Sequence, residues 1–301
     1  MEADVLCHDL SSFDEQYPAT LIPLTFESHG DQLIGRILVA QGAGPHPTIL
    51  LLHGFPGNEQ SGDLAHIFRR AGWNVMSFHY RGAWGSEGAF SYTHSFEDVP
   101  AALRMLKTEQ MQEQCRVDPE QIVLIGHSMG GFAALFTAAT DPSIRAVASL
   151  AGFHLGRFAQ ELRQDPLLVE STASDWDSSL AALRGTTGAQ LVQEVLDHAE
   201  QWTLNHYMDR LAQCSIFLIG GSRDTVAPLH VHHTPLIAAL EQYSASHPSP
   251  TNATLPQIGA RTPAISSTIL PADHAFSDAR VALAQHLLTW LEKVKHADGS
   301  K

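Results

Sequence analysis

The stretch Ile122-Val123-Leu124-Ile125-Gly126-His127-Ser128-Met129-Gly130-Gly131-Phe132-Ala133-Ala134-Leu135 decides the architecture. Ile122 to Ile125 is a short, unbroken, β-branched apolar run, the pattern of a strand buried on both faces. Met129 to Ala139 is rich in alanine and reads as a helix. Gly126-His127-Ser128-Met129-Gly130 lies between them and has the form G-x-S-x-G. A strand that turns directly into a helix puts the central serine in a strained turn, with its hydroxyl above the sheet edge. The residues two before and two after must be small, or their side chains collide in the turn. Gly126 and Gly130 meet that need, and Gly131 lets the helix pack close to the strand. The helix N-terminus adds positive partial charge near the serine.

The same alternation continues on both sides. Upstream, Thr20 to Glu27 and Gln32 to Ala40 are β-rich and flank the turn Ser28-His29-Gly30-Asp31. Strands follow at Thr48 to Leu52 and Val75 to Phe78, with helices at about 62–71 and 95–112. Downstream, Ala146 to Leu150, Ile216 to Ile219 and Ile265 to Leu270 are strands, and 228–242 and 278–295 are helices. In the last helix Val281, Leu283, Leu287, Leu288 and Leu291 are assigned to the inner side. The pattern predicts an α/β fold with a mostly parallel, eight-stranded sheet and helices on both faces. From Phe153 to Leu211 the alternation stops and only helical periodicity remains. That segment (153–211) is expected to be a small helical cap or lid inserted into a catalytic domain made of 1–152 and 212–301. Residues 243–263, rich in Ser, Pro, Thr and Ala, read as a loop. The sequon Asn252-Ala253-Thr254 lies inside it and is given no role.

Composition bounds the rest. The 301 residues are 44% hydrophobic and 17% charged, ample for a buried core. The formal net charge of −14 disfavours nucleic acid and anionic membranes as partners. Three well-separated cysteines and no C-x-x-C argue against a disulfide framework or a zinc knuckle. No apolar run reaches the length of a membrane span, and the acidic N-terminus lacks the apolar core of a signal peptide, so a cytoplasmic location is expected. His79 and His94 have no partners at metal-ligand spacing, so no metal is expected. The Gly-rich loop Gly82-Ala83-Trp84-Gly85 lacks the pattern that cradles phosphates.

His53-Gly54-Phe55-Pro56-Gly57, Tyr80-Arg81-Gly82-Ala83-Trp84-Gly85-Ser86, the G-x-S-x-G turn, Gly221-Ser222-Arg223-Asp224 and Asp273-His274-Ala275-Phe276 occur in the order of the landmarks of one family. The chain resembles an α/β-hydrolase over nearly its whole length, and within it the esterase and serine-peptidase-like branch. The resemblance implies a Ser-Asp-His triad, no cofactor, and hydrolysis of carboxylic esters or amides.

Ser128 is then the candidate nucleophile. Asp224 follows the strand Ile216 to Ile219, where a carboxylate points into the crevice at the carboxyl ends of the strands; the alternative is a helix cap. His274 follows the last strand and is the candidate base, in the chain order Ser, acid, His. Asp273 beside it reads as a turn residue. The oxyanion hole takes the backbone N–H of Met129 and one from the turn after Leu52. Pro56 has no N–H, so Phe55 is preferred and Gly57 held in reserve. His53 reads as a structural histidine bonding loop backbone, and Arg81, Trp84 and Glu87 as loop braces. His230, His232 and His233 are assigned to solvated surface. His154, Phe158 and Trp202 are candidates for the substrate pocket.

The leading reading is a serine esterase acting through an acyl-enzyme on a small-molecule ester. The alternatives are an aminopeptidase or amidase, with Asp175, Asp177, Glu194 and Asp197 available to bind an amine, and a non-catalytic binding protein on the same scaffold. A serine at the elbow disfavours the dehalogenase and epoxide hydrolase variants, which use aspartate there. Acyl transfer and oligomeric state stay open.

Overall fold

A computed structural model describes residues 5–247 and 264–298. The sequon at Asn252 and most of the Ser/Pro-rich stretch lie outside the described residues.

The elements follow in chain order. They are β1 (Thr20–Ser28), β2 (Asp31–Val39), β3 (His46–Leu52), α1 (Gly62–Arg70), β4 (Asn74–Phe78), α2 (Tyr92–Leu106), α3 (Glu109–Cys115), β5 (Val117–His127) and α4 (Met129–Thr140). After β6 (Ala146–Leu150) come α5 (Leu155–Gln164), α6 (Pro166–Asp177), α7 (Gly188–Asp197) and α8 (Met208–Leu211). The chain ends with β7 (Ser215–Gly221), α9 (Thr234–Ser246), β8 (Ile265–Leu270) and α10 (Arg280–Asp298). Among the described residues the strands form one eight-stranded sheet of order β1-β2-β4-β3-β5-β6-β7-β8. The β1–β2 and β2–β4 pairs are antiparallel, and the rest are parallel. This is the α/β-hydrolase architecture that the sequence predicts.

Alternation along the central strands builds two cores. Ile49, Leu51, Val123, Ile125, Phe217 and Ile219 face α1 and α10. Leu50, Leu52, Leu124, Ile216 and Leu218 face α2, α4 and α9. Every residue of β3, β6 and β7 is buried, which explains why these strands read as unbroken apolar runs rather than alternating ones. The outer strand β1 alternates, as a half-exposed strand should.

Three local expectations need correction. The helix read at 95–112 starts at Tyr92, where the Ser91 hydroxyl accepts the His94 N–H at 3.0 Å, and it breaks after Leu106. Thr108 then caps a second helix, α3. The helix read from Pro228 opens with a wide turn, Leu229–His233, before α9 begins at Thr234. Val281 is 61% exposed, because the inner face of α10 starts at Leu283.

Helices α5 to α8 occupy the segment from Leu155 to Leu211. Its apolar residues Leu155, Leu162, Leu191, Val195, Trp202 and Leu211 join the core that includes α2 and α4 and form no core of their own.

Candidate active site

Four glycines shape the turn at Ser128. A Cβ on Gly126 would come within 2.0 Å of the Gly130 carbonyl oxygen, and one on Gly130 within 2.3 Å of the Leu52 oxygen. Gly131 packs against Ser149 Oγ, at 2.6 Å from its hypothetical Cβ. Gly54 lies against the nucleophile position itself; a Cβ there would meet Ser128 Cβ at 2.8 Å. Ser128 has φ 57° and ψ −124°, a region that serine rarely occupies. Its N–H donates to the Leu150 oxygen at 2.8 Å, which fastens the strained turn to β6.

Asp224 stands after β7 and is buried. One carboxylate oxygen accepts the N–H groups of Val226 and Ala227, each at 2.8 Å. The other accepts from His274 Nδ1 at 2.8 Å. The capping role weighed from sequence and the histidine contact are thus both present, on different oxygens. Burial alone would raise the Asp224 pKa, but the His274 bond and the two amides outweigh it and hold the carboxyl below its ordinary value. With Nδ1 donating to a carboxylate, His274 presents Nε2 as its free acceptor. Among the described residues no hydrogen bond joins Ser128 Oγ to His274. Such bonds are commonly long in unliganded sites.

Ser128 and His274 are linked through a residue that the sequence reading did not single out. His127 Nε2 donates to the His274 carbonyl at 2.7 Å, and the two rings lie 4.8 Å apart. Burial, with His274 close by, pulls the His127 pKa down to about 4, so the ring is neutral. The motif leaves this position unspecified, and only the direction the elbow imposes on the ring reveals its contact.

Met129 opens α4, so its N–H lies among those that have no partner within the helix. Among the described residues the Phe55 N–H has no backbone partner either. Several side chains hold the loop carrying Phe55. His53 Nδ1 donates to the Gly54 oxygen at 2.7 Å, Trp84 Nε1 to the Pro56 oxygen at 2.8 Å, and Gln60 Nε2 to the Gly57 oxygen at 3.2 Å. Arg81 is buried on Asp98, with Nε to Oδ1 at 2.7 Å, and Glu87 accepts the Gln32 N–H at 2.9 Å. Asp273 caps its own turn, accepting the Ser277 N–H at 2.8 Å.

The three pocket candidates separate. Phe158 packs on Phe153 and Trp176, at ring distances of 4.9 and 6.0 Å. Trp176 in turn reaches the Phe55 ring at 5.7 Å, so α6 abuts the loop of the oxyanion candidate. His154 is buried, and its N–H donates to His232 Nδ1 at 3.0 Å. Trp202 is only 2% exposed and packs edge-on against Phe96 at 5.2 Å, a core position. His154 and Trp202 both line a cavity of about 30 Å³ whose walls do not include Ser128. His232, assigned to surface from sequence, is 3% exposed instead. The wide turn before α9 rotates it inward against the Phe153 ring, 4.5 Å away.

Comparison with known proteins adds the family context. A family model described as alpha/beta hydrolase fold matches residues 47–216. An uncharacterised 31.7 kDa protein of the traX-finO intergenic region of Escherichia coli is 30% identical over 120 residues, 38% of this chain and 40% of that protein. The chain therefore matches less than half the length of that relative. Est1E from Butyrivibrio proteoclasticus, solved with ferulic acid bound, superposes with a TM-score of 0.67 at 15% identity, covering 90% of this chain and 99% of Est1E. The acylaminoacyl peptidase of Pyrococcus horikoshii gives a TM-score of 0.64 at 14% identity, covering 91% of this chain and 41% of the peptidase. At these identities the likeness is one of fold.

Proposed function

The chain belongs to the α/β-hydrolase fold family, and we propose that within it the protein is a serine hydrolase that cleaves carboxylic esters through an acyl-enzyme on Ser128. The observation that carries this reading is the 2.8 Å bond from His274 Nδ1 to a buried Asp224, with the His274 carbonyl bonded at 2.7 Å to His127, the neighbour of a serine held at φ 57°.

In the proposed reaction Ser128 Oγ attacks the ester carbonyl as its proton passes to His274 Nε2. Asp224 fixes the tautomer and stabilises the imidazolium. The carbonyl oxygen takes the negative charge and is held by the Phe55 and Met129 amides. The tetrahedral intermediate collapses, the C–O bond to the alcohol breaks, and the alcohol leaves with the proton from His274. Water then gives a proton to His274 Nε2 and attacks the acyl carbon. The second collapse returns that proton to Ser128 Oγ and releases the acid.

Ester is preferred over amine-bearing peptide because two of the insertion's acidic groups, Glu194 and Asp177, are engaged elsewhere. Glu194 accepts the Tyr92 and Thr93 N–H groups at 2.9 and 2.8 Å, and Asp177 accepts the Gly188 N–H at 2.6 Å. Carboxylates committed to helix N-termini are poor anchors for a substrate ammonium. The likeness to Est1E, bound to ferulic acid, agrees with an ester substrate, whereas that to the acylaminoacyl peptidase supports the amide alternative. The helical segment 153–211 is proposed as a cap that presents Phe158 and Trp176 to the acyl group.

The test is a matched panel of p-nitrophenyl esters of increasing acyl length and aminoacyl p-nitroanilides. The proposal expects turnover of esters with a preferred chain length. Faster turnover of the anilides would shift it to an amidase.

A further inference from the structure

Residues 182–184 of the insertion are zipped to the loop that follows β4. The Trp84 N–H donates to the Ala182 oxygen, the Arg184 N–H to the Gly82 oxygen and the Phe90 N–H to the Arg184 oxygen, each at 2.9 Å. Ala83 and Leu183 pair as an antiparallel bridge. The Arg184 guanidinium adds a bond to the Ser86 oxygen. A short ladder of this kind holds the two stretches in one register.

Trp84 stands at the junction. Its indole is turned towards the loop of the oxyanion candidate, where Nε1 donates to the Pro56 oxygen at 2.8 Å. That loop is shaped to receive it. Gly57 lies at φ +100°, and a Cβ there would come within 2.6 Å of Trp84 Nε1. The indole also stacks on the His79 ring, with 6.2 Å between centroids. One residue thus gives its backbone N–H to the insertion and its side-chain N–H to the residue after Phe55.

Two features show what holds this residue in place. Trp84 is 40% exposed, so burial does not fix its ring; the bond to Pro56 does. Its backbone has φ 51°, in the left-handed region that a tryptophan rarely adopts and that persists only where neighbouring bonds enforce it. The Trp84 N–H is given to a carbonyl of the insertion. The insertion therefore enforces the backbone conformation that aims the indole at Pro56.

We propose that Trp84 is a positioning residue that couples the cap to the oxyanion hole. The cap sets the Trp84 backbone, and the indole sets the Pro56 carbonyl and with it the turn that carries the Phe55 N–H. The inference rests on the reading of Ser128 as a hydrolase nucleophile. It adds that the cap governs the rate with every acyl group, besides choosing among them. A donor displaced slightly from the developing oxyanion loses its effect chiefly in the transition state.

The test is the rate at which a fluorophosphonate labels Ser128, measured on the full chain, on Trp84→Phe, on Arg184→Pro and on the double variant. In this reaction Ser128 Oγ displaces fluoride from phosphorus while the phosphoryl oxygen occupies the oxyanion hole, so the rate reports the hole without an acyl group. Phenylalanine keeps a ring on His79 and loses the Nε1 donor. Proline at 184 removes the N–H given to Gly82 and the guanidinium bond to Ser86. Each single variant is expected to label about fivefold more slowly, the effect of one lost hydrogen bond. The double variant is expected to label no more slowly than Trp84→Phe, because both changes act through one contact. On p-nitrophenyl esters Trp84→Phe is expected to lower kcat by the same factor for short and long acyl groups, with KM unchanged. Urea midpoints establish that each variant is folded. Should Arg184→Pro not fold, Trp84→Phe, which leaves every backbone bond in place, decides the matter alone. The coupling is overturned if Trp84→Phe or a folded Arg184→Pro chain labels as the native one does, or if the two losses multiply in the double variant. A native chain that is not labelled at Ser128 fails the hydrolase reading itself, and the coupling with it.

Discussion

His127 Nε2 donates a 2.7 Å hydrogen bond to the carbonyl of His274, so the residue just before the candidate nucleophile holds the loop of the candidate base. Both side chains of the proposed proton transfer are thereby referred to one point, the end of β5. The bond is part-buried and its donor neutral, so its geometry is kept without a buried charge.

Replacing His127 by alanine removes that tether and leaves the triad in place. We expect kcat to fall by about tenfold with KM nearly unchanged, since one such hydrogen bond is worth ~1 kcal/mol. His127→Gln, which can still donate, should recover part of the loss. A KM effect with unchanged kcat would show that His127 acts on substrate binding instead.

Asp224→Asn keeps an oxygen for the Val226 and Ala227 amides and loses the charge that faces His274. The amide favours the wrong imidazole tautomer, for which a loss of about 10⁴ in kcat is the precedent in a triad. Circular dichroism of the variant should match the parent. Activity within about tenfold of the parent would assign the acid to another residue.

Much of this was legible in the sequence, for identifiable reasons. The elbow is local: Gly126, Gly130 and Gly131 are needed wherever a serine turns a strand into a helix, and their contacts with Leu52 and Ser149 show why. Asp224 and His274 could be put forward as candidates because each follows a strand in a fixed chain order, β7 fully buried and β8 at the half-exposed edge of the sheet. His127 and His232 were missed because the direction of a ring depends on backbone turns that composition does not encode. His232 is carried inward by the five-residue turn Leu229–His233, which a helical reading places on the surface. Trp202 and Trp176 lie in the same insertion and look equivalent in sequence. Only packing puts the first in the core and the second beside Phe55.

Stability should fall on mild acidification. Burial pulls the pKa of His53 and His127 down to about 4 and that of His232 to about 3. Unfolded, these rings titrate near ~6.5. Below that pH the unfolded chain binds protons that the folded chain refuses, so stability drops as pH falls from ~6.5 towards ~4. Each ring contributes on the order of 3 kcal/mol across the interval. Asp224, held below its ordinary value, contributes above the unfolded carboxylate value of ~3.9, and that contribution is lost as pH falls further through the folded value. Urea midpoints measured across this range should decline with pH, and His53→Asn should flatten the decline. A pH-independent midpoint would refute the assignment.

The two tryptophans of the insertion should respond differently. Trp176 is half-buried and packs between Phe55 and the half-buried Phe158, so Trp176→Ala is expected to change the ratio of long- to short-chain ester turnover by about tenfold with little loss of stability. Trp202→Ala empties a core position and is expected to cost about 3 kcal/mol, read as a lower urea midpoint. Equal effects of Trp176→Ala on all esters would remove the segment from the acyl site.

The central claim is that Ser128 is the nucleophile, and covalent labelling with a fluorophosphonate tests it most directly. The account predicts one adduct per chain, mapped by mass spectrometry to Ser128 and lost in Ser128→Ala, which should still fold. An adduct at any other residue, or undiminished ester turnover by Ser128→Ala, would contradict it.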